Sequence, residues 1–274
     1  MSTRNNEDRV GARQVADAPP PLEENEQNTT SLSFATPTEI VDLPSKGKYY
    51  QEGHPLHGME TVEIKFMTAK DEDILSSRTL IRKGIVIDRL LSNVMIDKRV
   101  NPDDLLLGDK NALIVATRIT GYGEEYNTNI NCPVCGLASE YSFDLENVDI
   151  NNGGALNVEN VSETENNTFK FTLPKTKVEV EIRLLCGHDE KRLQHIAEKH
   201  KQYGLGEATL TDQLRMMIMS VNGVEDAATK NSFVENMPAM DSKYLRGVLK
   251  KITPNLDMTQ IFSCESCGHT GVME

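Results

Sequence analysis

Apolar and polar residues alternate along residues 61–66 (TVEIKF), and a period of two predicts a half-buried strand. The spacing then changes to that of a helix. Thr68 with Asp71 three positions later forms an N-terminal capping signal, and a helical apolar face follows over residues 74–81. Gly84 interrupts this pattern, and residues 85–94 predict a second helix. The chain therefore begins its patterned part with a small β element followed by helices.

A third helical start is predicted at residues 101–104 (NPDD), where Asn precedes a proline at the first helical position. Gly108 cuts this short segment, and Asp109 is expected to cap the next helix, which runs to about Thr120. Residues 121–123 (GYG) stop that helix.

The period returns to two from residue 124. Strands are predicted at residues 125–130 and 138–145, on either side of a Cys-x-x-Cys-Gly segment. Residues 146–166 are rich in Asn, Glu and Gly and predict a loop, and strands at 168–173 and 178–185 follow, joined by a hairpin turn at 174–177.

The last part of the chain is mainly helical. Helices are predicted at about residues 189–203, 210–221 and 240–252, and a strand at 258–263 leads into a second Cys-x-x-Cys-Gly segment. In the methionine-rich helix, the residues at helical spacing predict core positions, namely Leu214, Met217, Ile218 and Val221.

These patterns predict an α+β fold in three parts. Residues 1–38 hold a proline run, few periodic apolar residues and more acidic than basic side chains, so we expect a disordered acidic tail. Residues 39–123 form a small β element with a helical domain. Residues 124–274 form a zinc-ribbon-like β domain, split by a helical insertion at about 187–257.

The chain's charge limits its partners. With 42 Asp and Glu against 29 Lys and Arg, the formal net charge is −13, which argues against general nucleic-acid or membrane-surface binding because phosphates would be repelled. No apolar run reaches the 18–20 residues of a membrane span, and the N-terminal residues lack the apolar region of a signal peptide. We therefore expect a soluble protein that is cytoplasmic when made.

The main candidate chemistry is a metal site. Cys132 and Cys135 form one pair and Cys264 and Cys267 the other, each followed by a glycine that permits a positive φ and lets amides approach the sulfurs. Two such knuckles supply the four thiolates of a closed tetrahedral zinc site, which stabilises a fold and has no open position for catalysis.

Other uses of these cysteines are open. The pairs could be independent turn cysteines or redox pairs, although neither precedes a convincing helix, and each knuckle could complete its site with a partner chain. The 128 residues between the pairs make a long loop, but the cost of loop closure grows only logarithmically. Cys186 is expected to be a buried core thiol, and the outlying His188 and His269 are left out because four cysteines saturate the metal.

No catalytic constellation is visible. The sequence has no Gly-x-Ser-x-Gly, phosphate loop, Gly-x-Gly-x-x-Gly or His-Glu-x-x-His, and its carboxylates are scattered. With a closed metal site, this predicts that the protein is not an enzyme.

Several segments in order resemble the baseplate hub proteins of T4-like tailed phages. They are residues 41–50 (VDLPSKGKYY) with 54–56 (HPL), 66–75 (FMTAKDEDIL), 103–110 (DDLLLGDK), 119–123 (ITGYG) and 132–135 (CPVC). The resemblance covers residues 40–145 well and the remainder loosely. It implies a structural or assembly subunit of a contractile-tail baseplate, in the virion or in the host cytoplasm during assembly, with other tail and baseplate proteins as partners.

An alternative of another class is a zinc-ribbon regulatory or nucleic-acid-binding protein. It needs a basic stripe near the knuckles, and only the stretch with Lys243, Arg246, Lys250 and Lys251 provides one, which a solvated helix face explains. Self-association of the chain and the identity of its partner stay open.

Overall fold

The computed structural model describes residues 36–204 and 209–273. This part of the chain contains eight α-helices and twelve short strands, so the predicted α+β class is confirmed. The strands form several small antiparallel sheets rather than one large sheet. The predicted disordered tail, residues 1–38, lies outside the described residues except for its last three, and Thr38 already begins a strand.

The N-terminal part is a β-hairpin followed by four helices. Strands β1 (Thr38–Asp42) and β2 (Thr61–Lys65) pair antiparallel, with Val41 opposite Val62 on the buried face. The helices are α1 (Ala69–Ser76), α2 (Arg78–Arg82), α3 (Val86–Val94) and α4 (Leu107–Tyr122). The capping signal at Thr68 is confirmed, because its side chain and that of Asp71 form a reciprocal capping box.

The helix start predicted at residues 101–104 is wrong. These residues form a turn, in which the Asn101 side chain accepts a hydrogen bond from the Asp103 amide and the Asn101 carbonyl accepts one from the Asp104 amide. The Asp103 carbonyl is also taken, by the amide of His188. Helix α4 therefore begins later, at Leu107, and Asp109 lies inside its first turn instead of capping it.

The middle of the chain forms a four-stranded antiparallel sheet whose strands follow chain order. They are β6 (Val161–Glu163), β7 (Phe169–Thr172), β8 (Glu179–Ile182) and β9 (Ile218–Val221). The predicted loop at 146–166 contains β6, a short 3-10 helix (Ala155–Asn157) and β5 (Asp149–Asn151).

Two helical assignments in this region were incomplete. The predicted helix at 210–221 ends early, because α6 (Thr209–Met217) gives way to β9, which pairs with β8. The predicted core residues of that segment are nevertheless buried, as a bulge in the β8–β9 pairing turns Met219 outward. Helix α7 (Ala227–Asn236) was not predicted. Because only one of its residues, Val234, is buried, its sequence shows no clear helical repeat of apolar residues. The flanking helices are α5 (Gly187–Gln202) and α8 (Ala239–Ile252).

Two hydrophobic clusters stabilise these elements. The main core runs from Val41 in β1 to Ile252 in α8, and includes residues of α3, α4 and the four-stranded sheet. A small second cluster is separate from this core and surrounds Cys132 and Cys264. The domain division at residue 123 stays a prediction, and the main core contains residues on both sides of it.

Buried carboxylates connect several helix starts to neighbouring segments. Asp109 in α4 accepts hydrogen bonds from the Ser45 amide (2.9 Å) and from the Tyr50 hydroxyl (2.7 Å). Asp241 in α8 accepts bonds from the amides of Lys175 (2.7 Å) and Thr176 (2.9 Å), in the β7–β8 turn. Side chains in the first turns of these helices therefore fix the loops against which they pack.

Candidate metal centre

Each cysteine pair lies at the tip of its own β-hairpin. The first hairpin consists of β3 (Glu125–Asn131) and β4 (Ala138–Asp144), paired antiparallel over their full length. At its tip the Cys132 amide donates to the Leu137 carbonyl (2.9 Å) and the Gly136 amide donates to the Cys132 carbonyl (2.9 Å). This closes a tight loop around the first Cys-x-x-Cys segment.

The second hairpin repeats this geometry. It consists of β11 (Gln260–Ser263) and β12 (Thr270–Met273). The Cys264 amide donates to the His269 carbonyl (2.8 Å), and the Gly268 amide donates to the Cys264 carbonyl (2.9 Å). Gly136 and Gly268 have φ values of 72° and 68°, a left-handed conformation that favours glycine. The two loops are therefore the same knuckle built twice.

The two tips meet and bring the four sulfurs together. The Cys132 Sγ lies 3.7 Å from the Cys267 Sγ, and the Cys135 Sγ lies 3.7 Å from the Cys264 Sγ. All four ligand atoms lie within 4.8 Å of one another. A disulfide requires about 2.05 Å, whereas four sulfurs at about 2.3 Å from a tetrahedral zinc lie about 3.8 Å apart. The thiol spacing fits a Cys₄ metal site.

A small apolar floor supports the sulfur cluster. Cys132 and Cys264 are 2% and 1% exposed, whereas Cys135 and Cys267 are exposed at the surface. Beneath the buried pair lie Ile130 and Phe262, with the rings of Tyr141 and Phe143 packed against them. The Tyr141 hydroxyl donates to the Ile261 carbonyl (2.7 Å), so this side chain joins the first hairpin to the second.

The thiols differ in acidity. The backbone amide of Cys135 is the main cause that lowers the pKa of the Cys132 thiol to about 6. The amide of His269 acts in the same direction on Cys267, but the three neighbouring sulfurs, together with some desolvation, outweigh it and raise the pKa of that thiol to about 12. Four thiols this close cannot all ionise without a cation to share their charge.

A short strand pair brings the two hairpins together across the long gap in sequence. Strand β5 (Asp149–Asn151) follows the first hairpin, and β10 (Asn255–Asp257) precedes the second. They pair antiparallel, with Asn151 opposite Asn255 and Asp149 opposite Asp257. We call this pair the neck. The intervening chain leaves and returns side by side, so the sulfurs meet across a closed base and not across an open loop of 128 residues.

The other candidate ligands do not join the group of four sulfurs. His188 Nε2 lies 2.9 Å from a carboxylate oxygen of Asp104, and the His269 carbonyl belongs to the second knuckle. Cys186 was expected to be a buried core thiol, but it is only half-buried and occupies the N-cap position of α5, where its amide donates to the Asp189 carboxylate (3.1 Å). Burial is the largest effect on the Cys186 thiol, and its pKa is raised.

Within residues 36–204 and 209–273, no second group of three or more potential ligands comes together. The same stretch holds no helix with both the length and the apolar character to cross a membrane.

Sequence reasoning picked out the four cysteines that the structure brings together but missed the elements that support them. The neck strands are three residues long and far apart in the chain, so neither is long enough to show an alternation of apolar and polar residues. Tyr141 and Phe143 were visible in the alternating strand pattern at 138–145, and this pattern could have indicated an inward aromatic face.

Comparison with known proteins gives a family match. A family model described as T4 bacteriophage base plate protein matches residues 36–274, which include the whole of the part described above. No curated protein and no solved structure matches.

Proposed function

Because the chain belongs to the T4 bacteriophage base plate protein family, we propose that it is a non-enzymatic structural or assembly subunit of the hub region of a contractile-tail baseplate, stabilised by a structural zinc ion. Family membership supports the structural baseplate role. The hub assignment comes from the segments between residues 41 and 135 that resemble, in the same order along the chain, the hub proteins of T4-like phages. The expected partners are other tail and baseplate proteins, and the expected location is the virion tail, reached through assembly in the host cytoplasm.

The four converging sulfurs support the zinc proposal. Cys132, Cys135, Cys264 and Cys267 would hold the ion, and a Cys₄ set is typical of closed structural sites. Bound zinc would supply positive charge that stabilises four thiolates and would fix one hairpin against the other. With all positions filled by protein, such a site contributes folding energy and does not activate water.

A zinc measurement on purified protein tests this directly. We expect one zinc per chain in the wild type, and loss of the metal together with a fall in melting temperature in both Cys132→Ser and Cys264→Ser. Cys186→Ser is the matched control, since it removes a thiol outside the cluster and should keep its zinc. Two zinc ions per chain, no zinc at all, or full metal in Cys264→Ser would refute the shared site.

The baseplate role is tested separately. We expect the tagged protein to co-purify with other tail components from infected cells. Comparison of those lysates with purified particles tells a virion subunit from a factor that leaves after assembly. Absence from both tail intermediates and particles would contradict the role.

The charge of the ribbon hairpins argues for this role over nucleic-acid binding. Residues 124–145 and 258–274, which contain both hairpins, hold no Lys or Arg, whereas Glu125, Glu140 and Glu265 are all exposed there. Nucleic-acid affinity depends on cations that neutralise phosphates. A ribbon with this composition would repel a phosphate backbone.

A further inference from the structure

An apolar groove lined by two lysines runs along α8 and shares no residue with the metal centre. It has a volume of about 420 Å³, and its floor is formed by Val158, Pro174, Tyr244 and Val248. Met240 at its end is 66% exposed. We call this feature the α8 groove. An apolar floor open to water is a surface that binding of another apolar side chain would stabilise.

Lysines line the groove without carboxylate partners. Lys243 and Lys251 lie along it, four residues to either side of Gly247, and so on one face of the helix. Both are exposed, and neither they nor the nearby Arg246 form an ion pair with the described residues. The only carboxylate on α8, Asp241, is buried and bonded to the β7–β8 turn. The exposed charges of α8 are therefore all positive, on a chain whose net charge is −13.

Carboxylates near the groove do not cancel this charge. Glu159, exposed and next to Val158, adds one negative group, and the exposed Lys175, next to Pro174, adds one positive group. The groove therefore favours an occupant that carries several carboxylates.

A glycine in the middle of α8 marks where an occupant could approach. Gly247 lies in the helix interior, where glycine is unfavourable relative to alanine. Gly108, Gly121 and Gly187 lie in helices where an added Cβ would come within 3 Å of another segment. A Cβ at Gly247 would meet no such atom within 4 Å among the described residues. Packing within the described protein thus explains Gly108 and Gly187, whose added Cβ would meet backbone atoms, and leaves Gly247 unexplained. Glycine permits close approach of another backbone.

We propose that the α8 groove binds an acidic segment of another protein, which places a large apolar side chain over Gly247 and carboxylates beside Lys243 and Lys251. The proposal rests on the proposed structural role, since a baseplate subunit needs surfaces that dock against other proteins. It is independent of the zinc ion, because no groove residue belongs to the ribbon hairpins.

Peptide binding to the full-length zinc-loaded protein tests the proposal. The probe is a fluorescent synthetic peptide of leucine and glutamate in amphipathic order, and its leucine–lysine counterpart is the negative control. We expect the acidic peptide to bind the wild type and to bind Lys243→Glu/Lys251→Glu about tenfold more weakly. Lys199→Glu/Lys201→Glu is the matched control, because it makes the same charge change on exposed residues of α5 and should bind as the wild type does.

Gly247→Leu separates binding from folding. Leucine is a better helix former than glycine, and the space above residue 247 is open, so the variant should keep or raise the melting temperature. The leucine side chain would fill the open space above residue 247 in the α8 groove, so we expect acidic-peptide binding to weaken about tenfold as well. Unchanged binding in either Gly247→Leu or Lys243→Glu/Lys251→Glu would overturn the proposal.

Two further outcomes would assign the groove to another occupant and overturn the proposal. One is duplex or single-stranded DNA binding that disappears in Lys243→Glu/Lys251→Glu, and the other is self-association that the same substitutions abolish. Zinc content and co-purification with tail components are measured on the same variants. If the variants keep their zinc and still co-purify with tail components, while the acidic peptide binds Lys243→Glu/Lys251→Glu as tightly as the wild type, the groove proposal fails and the proposed function stands.

Discussion

Five aspartates sit in the first turns of helices and are nevertheless buried. They are Asp71 in α1, Asp109 in α4, Asp189 in α5, Asp212 in α6 and Asp241 in α8. A carboxylate near a helix N-terminus is favoured by the helix dipole. Each of these side chains also accepts hydrogen bonds from protein groups, as burial of a charge requires. The donors to Asp71, Asp109, Asp189 and Asp241 include groups outside the helix, so these residues also hold their helices to the rest of the fold.

Asp109 gives the strongest test of this arrangement. Asp109→Ala removes the acceptor for the Ser45 amide, the Ser45 hydroxyl and the Tyr50 hydroxyl, all in a buried site. Unsatisfied buried donors are costly, so we expect the free energy of unfolding to fall by about 2–3 kcal/mol. Chemical denaturation measures it. Tyr50→Phe removes one of these bonds and also the acceptor of the Leu106 amide, so it should cost less than Asp109→Ala, about 1–2 kcal/mol; an equal or larger loss in Tyr50→Phe would contradict this ranking.

Asp189 should make stability depend on pH. Burial is the largest influence and opposes ionisation, but the Arg183 guanidinium bonds both carboxylate oxygens (2.7 Å each) and the pKa of Asp189 ends below its ordinary value. The stabilisation is therefore complete above the unfolded pKa of about 3.9 and is lost as the pH falls through the lower folded value. Melting temperatures between about pH 5 and pH 2 should fall less steeply for Asp189→Asn than for the wild type. Parallel curves would show that this pair does not contribute.

At the scale of elements, the helices are positioned by close contacts at glycine. Gly108 in α4 lies so near the Pro254 carbonyl that an added Cβ would come within 1.8 Å of its oxygen. That contact brings α4 against the start of β10, and so against the neck. A side chain at residue 108 would push the neck away from the helix.

The helical glycines Gly108 and Gly247 should therefore respond oppositely to alanine. Gly108→Ala is expected to lower the melting temperature, because the backbone clash outweighs the better helix propensity. Gly247→Ala has open space and should stabilise the protein by about 0.5–1 kcal/mol. Thermal unfolding of both variants beside the wild type checks the prediction, and stabilisation by Gly108→Ala would show that α4 can move off the neck at no cost.

The sequence predicts some elements well because the information is local. The Thr68 cap, the two knuckles and the β7–β8 hairpin each depend on residues within a few positions of one another. Residues 218–221 were assigned to a helix because their apolar spacing suits one, but pairing with β8 over a long sequence separation makes them a strand. The neck was missed for the same reason, since each of its strands is defined by its partner.

At the scale of the whole molecule, the described residues form two hydrophobic cores of unequal size, which contribute unequally to the stability of the fold. The main cluster includes residues from β1 to α8, whereas the ribbon cluster has four buried members, two of which are the cysteines Cys132 and Cys264. Small units with little apolar burial generally require a metal or other cross-link. We infer that the main core folds without a metal and that the ribbon requires the proposed zinc ion.

Zinc removal should therefore unfold the ribbon without unfolding the main core. After chelation we expect the amides of Cys132 and Cys264, which are hydrogen-bonded within the knuckles, to exchange with solvent rapidly. The amides that pair β7 with β8 should keep their protection. Hydrogen exchange with and without chelator measures both, and Cys186→Ser serves again as the control. Simultaneous loss of protection in both regions would show that the two cores unfold as one.

The neck also bears on how freely this protein can be rebuilt. Asn151 and Asn255 are directly opposed, so the residues between them begin and end at nearly the same point in space. A segment with adjacent ends can in general be replaced while the flanking structure keeps its geometry, but this one supplies Phe169, Ile182 and Leu245 to the main core and cannot be removed without dismantling it. The neck therefore fixes where the two hairpins start, and the segment that it encloses is part of the main core and not a replaceable insertion.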